Sequence, residues 1–290
     1  MSPRYVDQFV YVGYNSSSVV IESAKGDLIL KCRFIVFGTC NGASMGINIE
    51  YIPFFDVCYK NVSLMEPFLS LGSLEIHDSV KDIEEYASQN GYNRLFNERT
   101  VSALLLERFG VKEYLDVDIN DAAQIKLDLT KEIPKNMLEK FNTVLDGGTL
   151  EHVFDVAKAL ENIHNMTAIG GVIVHLTPLT WYEHGLYNFN PRFYDLISTA
   201  NSYKEIAEGY YFRKQTEART LSAWISKLLS KEPPIPEGLK VTSVLGKPTK
   251  DADIVKEAML RRLLPSSVLY LRAYQKVKDG SFNRPYDIQP

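Results

Sequence analysis

The period of the apolar positions changes twice between Val144 and Pro191. The first part of this stretch repeats apolar residues at spacings of three and four, which predicts an amphipathic helix with one face on a sheet. These residues are Val153, Val156, Ala157, Leu160 and Ile163. Gly170 and Gly171 then predict the end of the helix, and the β-branched run Val172–Val174 predicts a strand covered on both faces. The stretch therefore predicts one βαβ unit of a parallel sheet.

Shorter patterned runs on either side of this unit predict the other elements. Strands are expected before it at Phe68–Leu71, Glu113–Asn120, Gln124–Pro134 and 141–146. Strands are expected after it at Tyr203–Arg213 and Ser267–Val277. Helical spacing predicts helices at Val101–Phe109, Pro191–Ala200 and Thr220–Leu229. The alternation of strands with helices predicts an open α/β sheet.

The two ends of the chain predict additions to this α/β domain. Short β-rich runs separated by turn-forming residues predict an N-terminal β appendage over residues 1–62, and the α/β domain is expected over 63–290. The proline-rich sequence KEPPIPEG predicts a linker inside a helical insertion over about 214–265. We expect residues 220–264 to move over the site or to mediate association into a homodimer.

The composition is that of an ordinary soluble protein. Its 290 residues are 45% hydrophobic and 23% charged, and no apolar run reaches the ~18 residues of a membrane helix. The first residues lack the basic and apolar regions of a secretion signal. The sequence has three cysteines, an odd number without a metal-ligand spacing such as C-x-x-C: Cys32, Cys40 and Cys58. This pattern favours a location in the reducing cytoplasm. The formal charge of -4 argues against a nucleic-acid partner, which normally meets a basic face.

Polar and aromatic side chains gather where two neighbouring predicted strands end. In open parallel sheets, ligands bind outside the carboxyl ends of the strands. The segments that follow the two strands carry Asp146, Gly147, Glu151, His152, His175, Pro178, Trp181 and His184. We therefore expect the chemistry of the protein at this edge of the sheet.

Four short motifs in this region resemble a known family. They are GTLEHVF at 148–154, GGVIVH at 170–175, HGLYNFNP at 184–191 and ANSY at 200–203. They are similar to a poorly characterised bacterial group of class I S-adenosylmethionine-dependent methyltransferases, with the patterns GT-x-EHVF and HG-x-x-x-F-x-P. The resemblance covers roughly Leu64 to Tyr211. It implies a Rossmann-like, doubly wound, mostly parallel sheet of seven strands, whose last strand runs antiparallel.

The resemblance implies a binding site for S-adenosylmethionine at the ends of the first strands. Asp118 would bond both ribose hydroxyls, because a carboxylate offers two acceptors to a vicinal diol, and Asp116 is the alternative. Asp128 would accept a hydrogen bond from the adenine amino group, and Leu129 would flank the adenine ring.

The methionine part of the cofactor would lie at two turns. Gly72 and Glu75 follow the first strand, where a glycine lets the backbone approach the cofactor closely, and Asp146 and Gly147 follow the fourth. The family usually carries an acidic residue and G-x-G-x-G at the first turn, whereas this chain has only Leu-Gly-Ser-Leu-Glu. This departure keeps open the alternative of a non-catalytic or degenerate nucleotide-binding domain of the same fold.

The resemblance implies methyl transfer but does not give the substrate. The function we expect is transfer to a small molecule or sugar, with oxygen as the favoured acceptor atom. His184 is predicted as the general base, because it follows the fifth strand, where acceptors bind in this fold. His152 is predicted to contact the substrate or to hold Glu151. The predicted apolar enclosure consists of Trp181, Tyr187 and Phe189. The sequence shows no metal-ligand spacing and predicts no metal, although His152, His184 and an acid could converge in space.

Two other enzyme classes fit the sequence less well. A nicotinamide-nucleotide enzyme requires G-x-G-x-x-G after the first strand, and this motif is absent from the sequence. A nucleic-acid methyltransferase requires a clustered basic face, which the sequence does not predict.

Overall fold

The computed structural model describes residues 46–60, 65–90, 100–181, 184–213, 236–262, 264–265 and 267–287. Its strands are β1 Gly46–Ile47, β2 Phe68–Leu71, β3 Glu75–Ile76, β4 Tyr114–Asp118, β5 Ile125–Lys126, β6 Phe141–Asp146, β7 Thr167–Pro178, β8 Lys204–Phe212, β9 Gly238–Val244, β10 Lys247–Pro248 and β11 Val268–Gln275. Its helices are α1 Ile52–Tyr59, α2 Val80–Gln89, α3 Val101–Phe109, α4 Val156–Met166, α5 Pro191–Asn201 and α6 Asp251–Leu260. Residues 1–45 of the predicted appendage and 214–235 of the predicted insertion lie outside the described residues.

The main sheet of the described chain has nine strands, in the order β10-β9-β8-β11-β7-β6-β2-β4-β5. The five strands at one end of the sheet pair in parallel, in the order β7-β6-β2-β4-β5. Strand β11 lies between β7 and β8 and is antiparallel to both. The mostly parallel α/β sheet and its antiparallel last strand are therefore confirmed. The predicted number of seven strands is wrong for the described sheet. Strands β1 and β3 pair in parallel as a separate sheet of two strands.

The two additional strands are the hairpin β9–β10. Leu245 and Gly246 form its two-residue turn, with φ angles of 51° and 74°. Positive φ at both central residues is typical of a hairpin turn whose twist matches the flanking strands. The sequence predicted a helical insertion over about 214–265, but the described part of this range contains the hairpin followed by α6. The β-branched run that ends before Leu245 is the local reason, since it pairs with β8 instead of forming a helix.

Helices cover both faces of the sheet. Successive side chains of β7 point to opposite faces, and Val172 and Val174 belong to one buried cluster while Ile173 belongs to another. Helices α1, α2 and α3 contribute to the first cluster, and α4, α5 and α6 contribute to the second. The arrangement is therefore doubly wound, as predicted. Among the described helices, none combines the length and the apolar character needed to cross a membrane.

Helix α1 packs in the core of the main domain. It buries Phe54 completely, and the Phe54 ring lies beside Gly209 of β8. The Tyr51 ring, just before α1, meets the Tyr211 ring edge to face at a centroid distance of 4.9 Å. The predicted β-rich appendage over 1–62 is therefore wrong at residues 52–59, which form this helix.

Strands β6 and β7 and helix α4 form the predicted βαβ unit with a shifted boundary. Helix α4 begins after Asp155, whose carboxylate accepts a hydrogen bond from the Lys158 N–H at 3.1 Å. The helix ends at Met166, and β7 begins at the next residue. Gly170 and Gly171 therefore lie inside the strand, opposite a shift in the β6–β7 register, and do not end the helix. Glycines within a strand commonly mark such an irregularity.

Asn162 connects α4 to the segment after β5. Its buried side-chain amide donates hydrogen bonds to the carbonyl oxygens of Leu129 at 2.8 Å and Lys131 at 2.7 Å. The Asn162→Ala variant leaves both carbonyls without this donor, so we expect its free energy of unfolding to fall by about 1–3 kcal/mol. Chemical denaturation measures this difference, with Asn165→Ala on the same helix as the control. Equal stability of the two variants would contradict the prediction.

Candidate functional site

A cleft of about 510 Å³ opens at the carboxyl ends of β4, β5 and β6. Three segments line it: residues 117–120, residues 127–130, and Thr149 with residues 152–154. The cleft brings together four predicted site residues, Asp118, Asp128, Leu129 and His152. Its position agrees with the rule that open parallel sheets bind ligands outside the carboxyl ends of their strands.

Asp118 and Asp116 differ in their access to the cleft. Asp118 is the last residue of β4, and its carboxylate accepts a hydrogen bond from the Asn120 N–H at 3.0 Å. This local bond holds the carboxylate at the strand end, where it lines the cleft. The Asp116 carboxylate instead accepts a bond from the Gln124 N–H at 2.7 Å, and it is not part of the cleft lining. The geometry therefore favours Asp118 over Asp116 as a ligand-binding residue.

Asp128 lines the same cleft as an ionised acceptor. The Thr130 hydroxyl and N–H both donate to its Oδ1 atom, at 2.7 Å and 2.9 Å. These hydrogen bonds, the hydroxyl foremost, lower the pKa of Asp128 below its usual value. The neighbouring Leu129 is nearly buried and adds an apolar surface to the cleft.

The turn after β2 lies next to the cleft but does not line it. The Gly72 N–H donates to the Val117 carbonyl oxygen at 2.7 Å, and Val117 is a lining residue. Gly72 has a φ of 83°, a conformation that favours glycine. Glu75 lies in β3, outside the main sheet, and pairs with Gly46. The structure therefore keeps Gly72 close to the predicted site and places the exposed Glu75 away from the cleft lining.

Asp146 and His175 form a buried pair at the ends of β6 and β7. The Asp146 Oδ2 atom lies 2.9 Å from the His175 Nδ1 atom. The Asp146 Oδ1 atom accepts hydrogen bonds from the N–H groups of Thr149 at 2.9 Å and Leu150 at 3.2 Å. Both carboxylate oxygens are thus engaged within the protein, and Asp146 does not line the cleft, so its contact with the cofactor stays a prediction. The pair instead fixes the turn that carries the next polar residues.

Two glycines allow this turn to pass close to its neighbours. A Cβ atom at Gly147 would lie 2.5 Å from the Leu74 Cδ1 atom. Gly148 has a φ of 102°, and a Cβ atom there would lie 3.1 Å from the Glu151 Oε1 atom. Larger residues at these positions would displace Leu74 or the Glu151 carboxylate. Gly147, like Gly72, does not itself line the cleft.

Glu151, His152 and His184 converge beside the cleft. The Glu151 Oε1 atom lies 3.5 Å from the His184 Nε2 atom. The rings of His152 and His184 meet edge to face, with centroids 5.3 Å apart. Each of the three residues offers one atom of the kind that binds metals, and these atoms lie within 4.8 Å of one another. His152 belongs both to this Glu-His-His cluster and to the cleft lining, so the two features adjoin.

The loop after β7 is fixed on the backbone of Glu151. The N–H groups of Leu186 and Tyr187 donate to the Glu151 carbonyl oxygen at 2.7 Å and 3.3 Å. A Cβ atom at Gly185 would lie only 2.9 Å from the same oxygen, so the close approach depends on glycine. This docking places His184 against Glu151, although the two residues come from different crossovers.

Burial controls the protonation of the Glu-His-His cluster. Glu151 is 1% exposed, and its pKa is raised mainly because burial disfavours the charged form. The His184 side chain opposes this shift through its interaction with the carboxylate. Burial also lowers the pKa of His152, which leaves its imidazole neutral at neutral pH. A neutral imidazole can accept a proton or bind a metal ion.

The predicted aromatic enclosure is present only in part. The Trp181 ring stacks on the His184 ring, with a centroid distance of 4.2 Å and an interplanar angle of 17°. The Tyr187 hydroxyl donates to the Phe154 carbonyl oxygen at 2.9 Å. Phe189 is only 5% exposed and packs in the core against Tyr194, at a centroid distance of 5.8 Å. Phe189 therefore does not provide the predicted wall around His184.

Glu151 is central to this cluster, although it was not among the predicted catalytic or binding residues. The sequence placed Glu151 beside His152 and allowed an unspecified acid to converge with His152 and His184. The available signal was the Glu-His dipeptide after one strand and a further histidine after the next strand. Because parallel strands end at one edge of a sheet, such residues can meet in space.

Comparisons with known proteins find only solved structures of low similarity. No family model and no curated protein matches the chain. A SAM dependent methyltransferase from Archaeoglobus fulgidus is 14% identical, with coverage of 78% of this chain and 90% of that chain and a TM-score of 0.41. An S-adenosylmethionine dependent methyltransferase from Mesorhizobium loti is 13% identical, with coverages of 78% and 97% and a TM-score of 0.30.

A third similar structure contains the methyl donor. It is phosphoethanolamine N-methyltransferase 2 of Haemonchus contortus in complex with S-adenosyl-L-methionine. It is 12% identical, with coverage of 73% of this chain and 48% of that chain and a TM-score of 0.31. Scores this low add no support of their own, so the fold class rests on the sheet itself. The sheet of this chain has parallel strands, an antiparallel last strand and a layer of helices on each face. These features are consistent with the Rossmann-like methyltransferase fold that the sequence motifs imply.

Proposed function

We propose that this protein transfers a methyl group from S-adenosylmethionine to an oxygen atom of a small molecule or sugar. The observation that carries the proposal is the arrangement of Asp118, Asp128 and His152 around one cleft. The carboxylates of Asp118 and Asp128, which are suited to bind a nucleoside, lie near the ends of neighbouring strands. The Glu-His-His cluster, which is suited to bind an acceptor, lies next to them.

The cleft residues match the chemical groups of the methyl donor. Asp118 offers carboxylate oxygens to the two ribose hydroxyls, and its position is fixed by Asn120. Asp128 accepts a hydrogen bond from the adenine amino group, since Thr130 keeps it ionised. Leu129 provides the apolar surface beside the ring. The backbone around Gly72 is then nearest to the methionine part.

The Glu-His-His cluster receives the acceptor in this proposal. S-adenosylmethionine supplies a sulfonium methyl group, and transfer to the acceptor oxygen breaks the bond between carbon and sulfur. The protein's task is to align the two reactants and to exclude water. His152 and His184 orient the acceptor hydroxyl and receive its proton, and Trp181 covers the His184 ring. The Glu151 Oε1 atom lies 3.5 Å from the His184 Nε2 atom and orients the His184 ring.

Calorimetric titration with S-adenosylmethionine and with its demethylated product tests donor binding. Release of the demethylated product in the presence of sugars and other hydroxylated small molecules tests the transfer. We expect binding of both nucleosides and acceptor-dependent release. A folded protein that binds neither nucleoside would overturn the proposal.

A non-catalytic nucleotide-binding domain is the second candidate. The observation in its favour is the turn after β2, where Gly72 is the only glycine and is tied to Val117. This candidate predicts donor binding without product release for every acceptor. Turnover with any hydroxylated acceptor would eliminate it.

A further inference from the structure

Glu151 has an unusual environment for a buried carboxylate. It is 1% exposed, yet its Oε2 atom has no hydrogen-bond partner among the described residues. Its Oε1 atom has His184 at 3.5 Å, at the far limit of a hydrogen bond. Buried polar atoms are normally paired, and removing a charged group from water without a partner is costly. Coordination to a cation would give both oxygens a partner.

The geometry of the cluster also suits a cation. Atoms on opposite sides of one ion, each bound at ~2.1 Å, lie about 4.2 Å apart. The candidate atoms of Glu151, His152 and His184 lie within 4.8 Å of one another, which is close to this separation. The two imidazole rings converge from different crossovers, and the docking of Leu186 on Glu151 holds the crossovers together.

We propose that Glu151, His152 and His184 bind a divalent transition-metal ion at the edge of the cleft. Two imidazoles and one carboxylate are ligands that zinc, iron, cobalt and manganese accept, whereas magnesium and calcium prefer oxygen atoms alone. Three protein ligands leave coordination positions open, as in catalytic metal sites. This proposal differs from the prediction of no metal, which rested on the spacing of residues in the sequence alone.

The location of the ion next to the cleft indicates that it binds the acceptor. This role of the ion rests on the proposed methyl transfer. His152 reaches both the cluster and the cleft, so the open coordination positions adjoin the predicted path of the methyl group. Two adjacent oxygens of an acceptor, such as neighbouring sugar hydroxyls, would occupy these positions. The ion lowers the pKa of the bound hydroxyl, whose proton passes to water. The oxygen then bonds to the methyl carbon, and the electrons of the carbon–sulfur bond remain on sulfur.

A bound ion would change the roles of the two histidines. As ligands they hold the acceptor through the ion, and His184 no longer acts as a free base. A metal-free base would work equally well in the presence of a chelator. Metal-assisted transfer would stop with a chelator and return when the ion is restored.

Titration with Co²⁺ tests the site without any need for turnover. The full chain, purified without a polyhistidine tag and dialysed against chelator, is titrated with Co²⁺ while visible absorption and heat are recorded. We expect one ion per chain, with competition by Zn²⁺. Loss of a ligand in Glu151→Gln, His152→Ala or His184→Ala should weaken binding by more than the ~10–100-fold typical of changes to outer-shell partners. His77→Ala is the control, because it removes an exposed histidine outside the cluster.

A further variant preserves all three ligands. In Gly185→Ala the new Cβ atom would approach the Glu151 carbonyl oxygen and displace the loop that carries His184. We expect weaker Co²⁺ binding with an unchanged donor affinity. Absence of stoichiometric binding of Co²⁺, Zn²⁺ and Mn²⁺, or equal binding by the ligand variants, would overturn the metal site. Donor binding without metal binding would reject only this inference, whereas metal binding without donor binding would reject the proposed methyl transfer.

Discussion

The Asp118→Ala variant should bind S-adenosylmethionine about a hundredfold more weakly than the unchanged protein, because two ribose hydroxyls lose a charged acceptor. Asp118 lies at the surface of the cleft and at the end of β4, so its removal should leave the fold intact. Calorimetric titration of the donor measures the affinity, and circular dichroism monitors folding. The donor affinity of the Asp118→Asn variant should lie between those of the unchanged protein and Asp118→Ala, since an amide offers one oxygen acceptor instead of two.

Asp116→Ala is the matched control for this experiment. Its carboxylate lies two residues earlier on the same strand but bonds to the Gln124 N–H rather than facing the cleft. We expect a small loss of stability and little change in donor affinity. If Asp116→Ala loses affinity while Asp118→Ala keeps it, the assignment of the two residues must be exchanged.

The His184→Ala variant should lower the rate of methyl transfer by ~10²–10⁴-fold, the range typical for loss of a group that handles the acceptor proton. Donor affinity should stay nearly constant, because Asp118 and Asp128 lie in a different part of the site. Turnover with a saturating donor and calorimetric donor titration separate these effects. The loss is expected whether His184 acts directly or through a bound ion, and chelator sensitivity of the unchanged protein distinguishes the two.

His77→Ala controls for the removal of an imidazole elsewhere on the surface. Normal turnover of His184→Ala would exclude this residue from the mechanism and direct attention to His152. A loss of donor affinity at an unchanged rate per bound donor would show instead that the loop after β7 closes the cofactor cleft.

The sequence predicted the elements whose pattern reflects burial on the sheet. The periodic apolar face of α4 and the β-branched run of β7 are both in place, since each packs against the parallel core. The hairpin β9–β10 was missed because the seven residues of β9 are mostly only partly buried and β10 has two exposed residues, which leaves a weak pattern. Asp118 and Asp128 were predicted as site residues from the family resemblance and their places at strand ends, and both line the cleft. The cleft that joins them became visible only in three dimensions.

Other site details depend on contacts that a sequence pattern does not record. Phe189 lies in an aromatic loop that suggested a pocket wall, but tertiary packing against Tyr194 takes it into the core. Asp146 lies at a strand end, yet His175 and the turn amides use both of its oxygens. Glu151 is distant in sequence from His184, and backbone hydrogen bonds between two loops bring them together.

The nine-stranded sheet ends in very short strands on both sides. Strand β5 has two residues, and β10 has two residues, of which Pro248 lacks the N–H group that a further strand would need. Long open edges invite pairing with strands of other molecules, and short or proline-containing edges suppress it. In the described part of the chain, the hairpin β9–β10 covers the edge of β8 and so hinders pairing of this edge with a strand of another molecule. We therefore expect a homodimer of this protein to associate through helical surfaces, without pairing of edge strands between the two molecules.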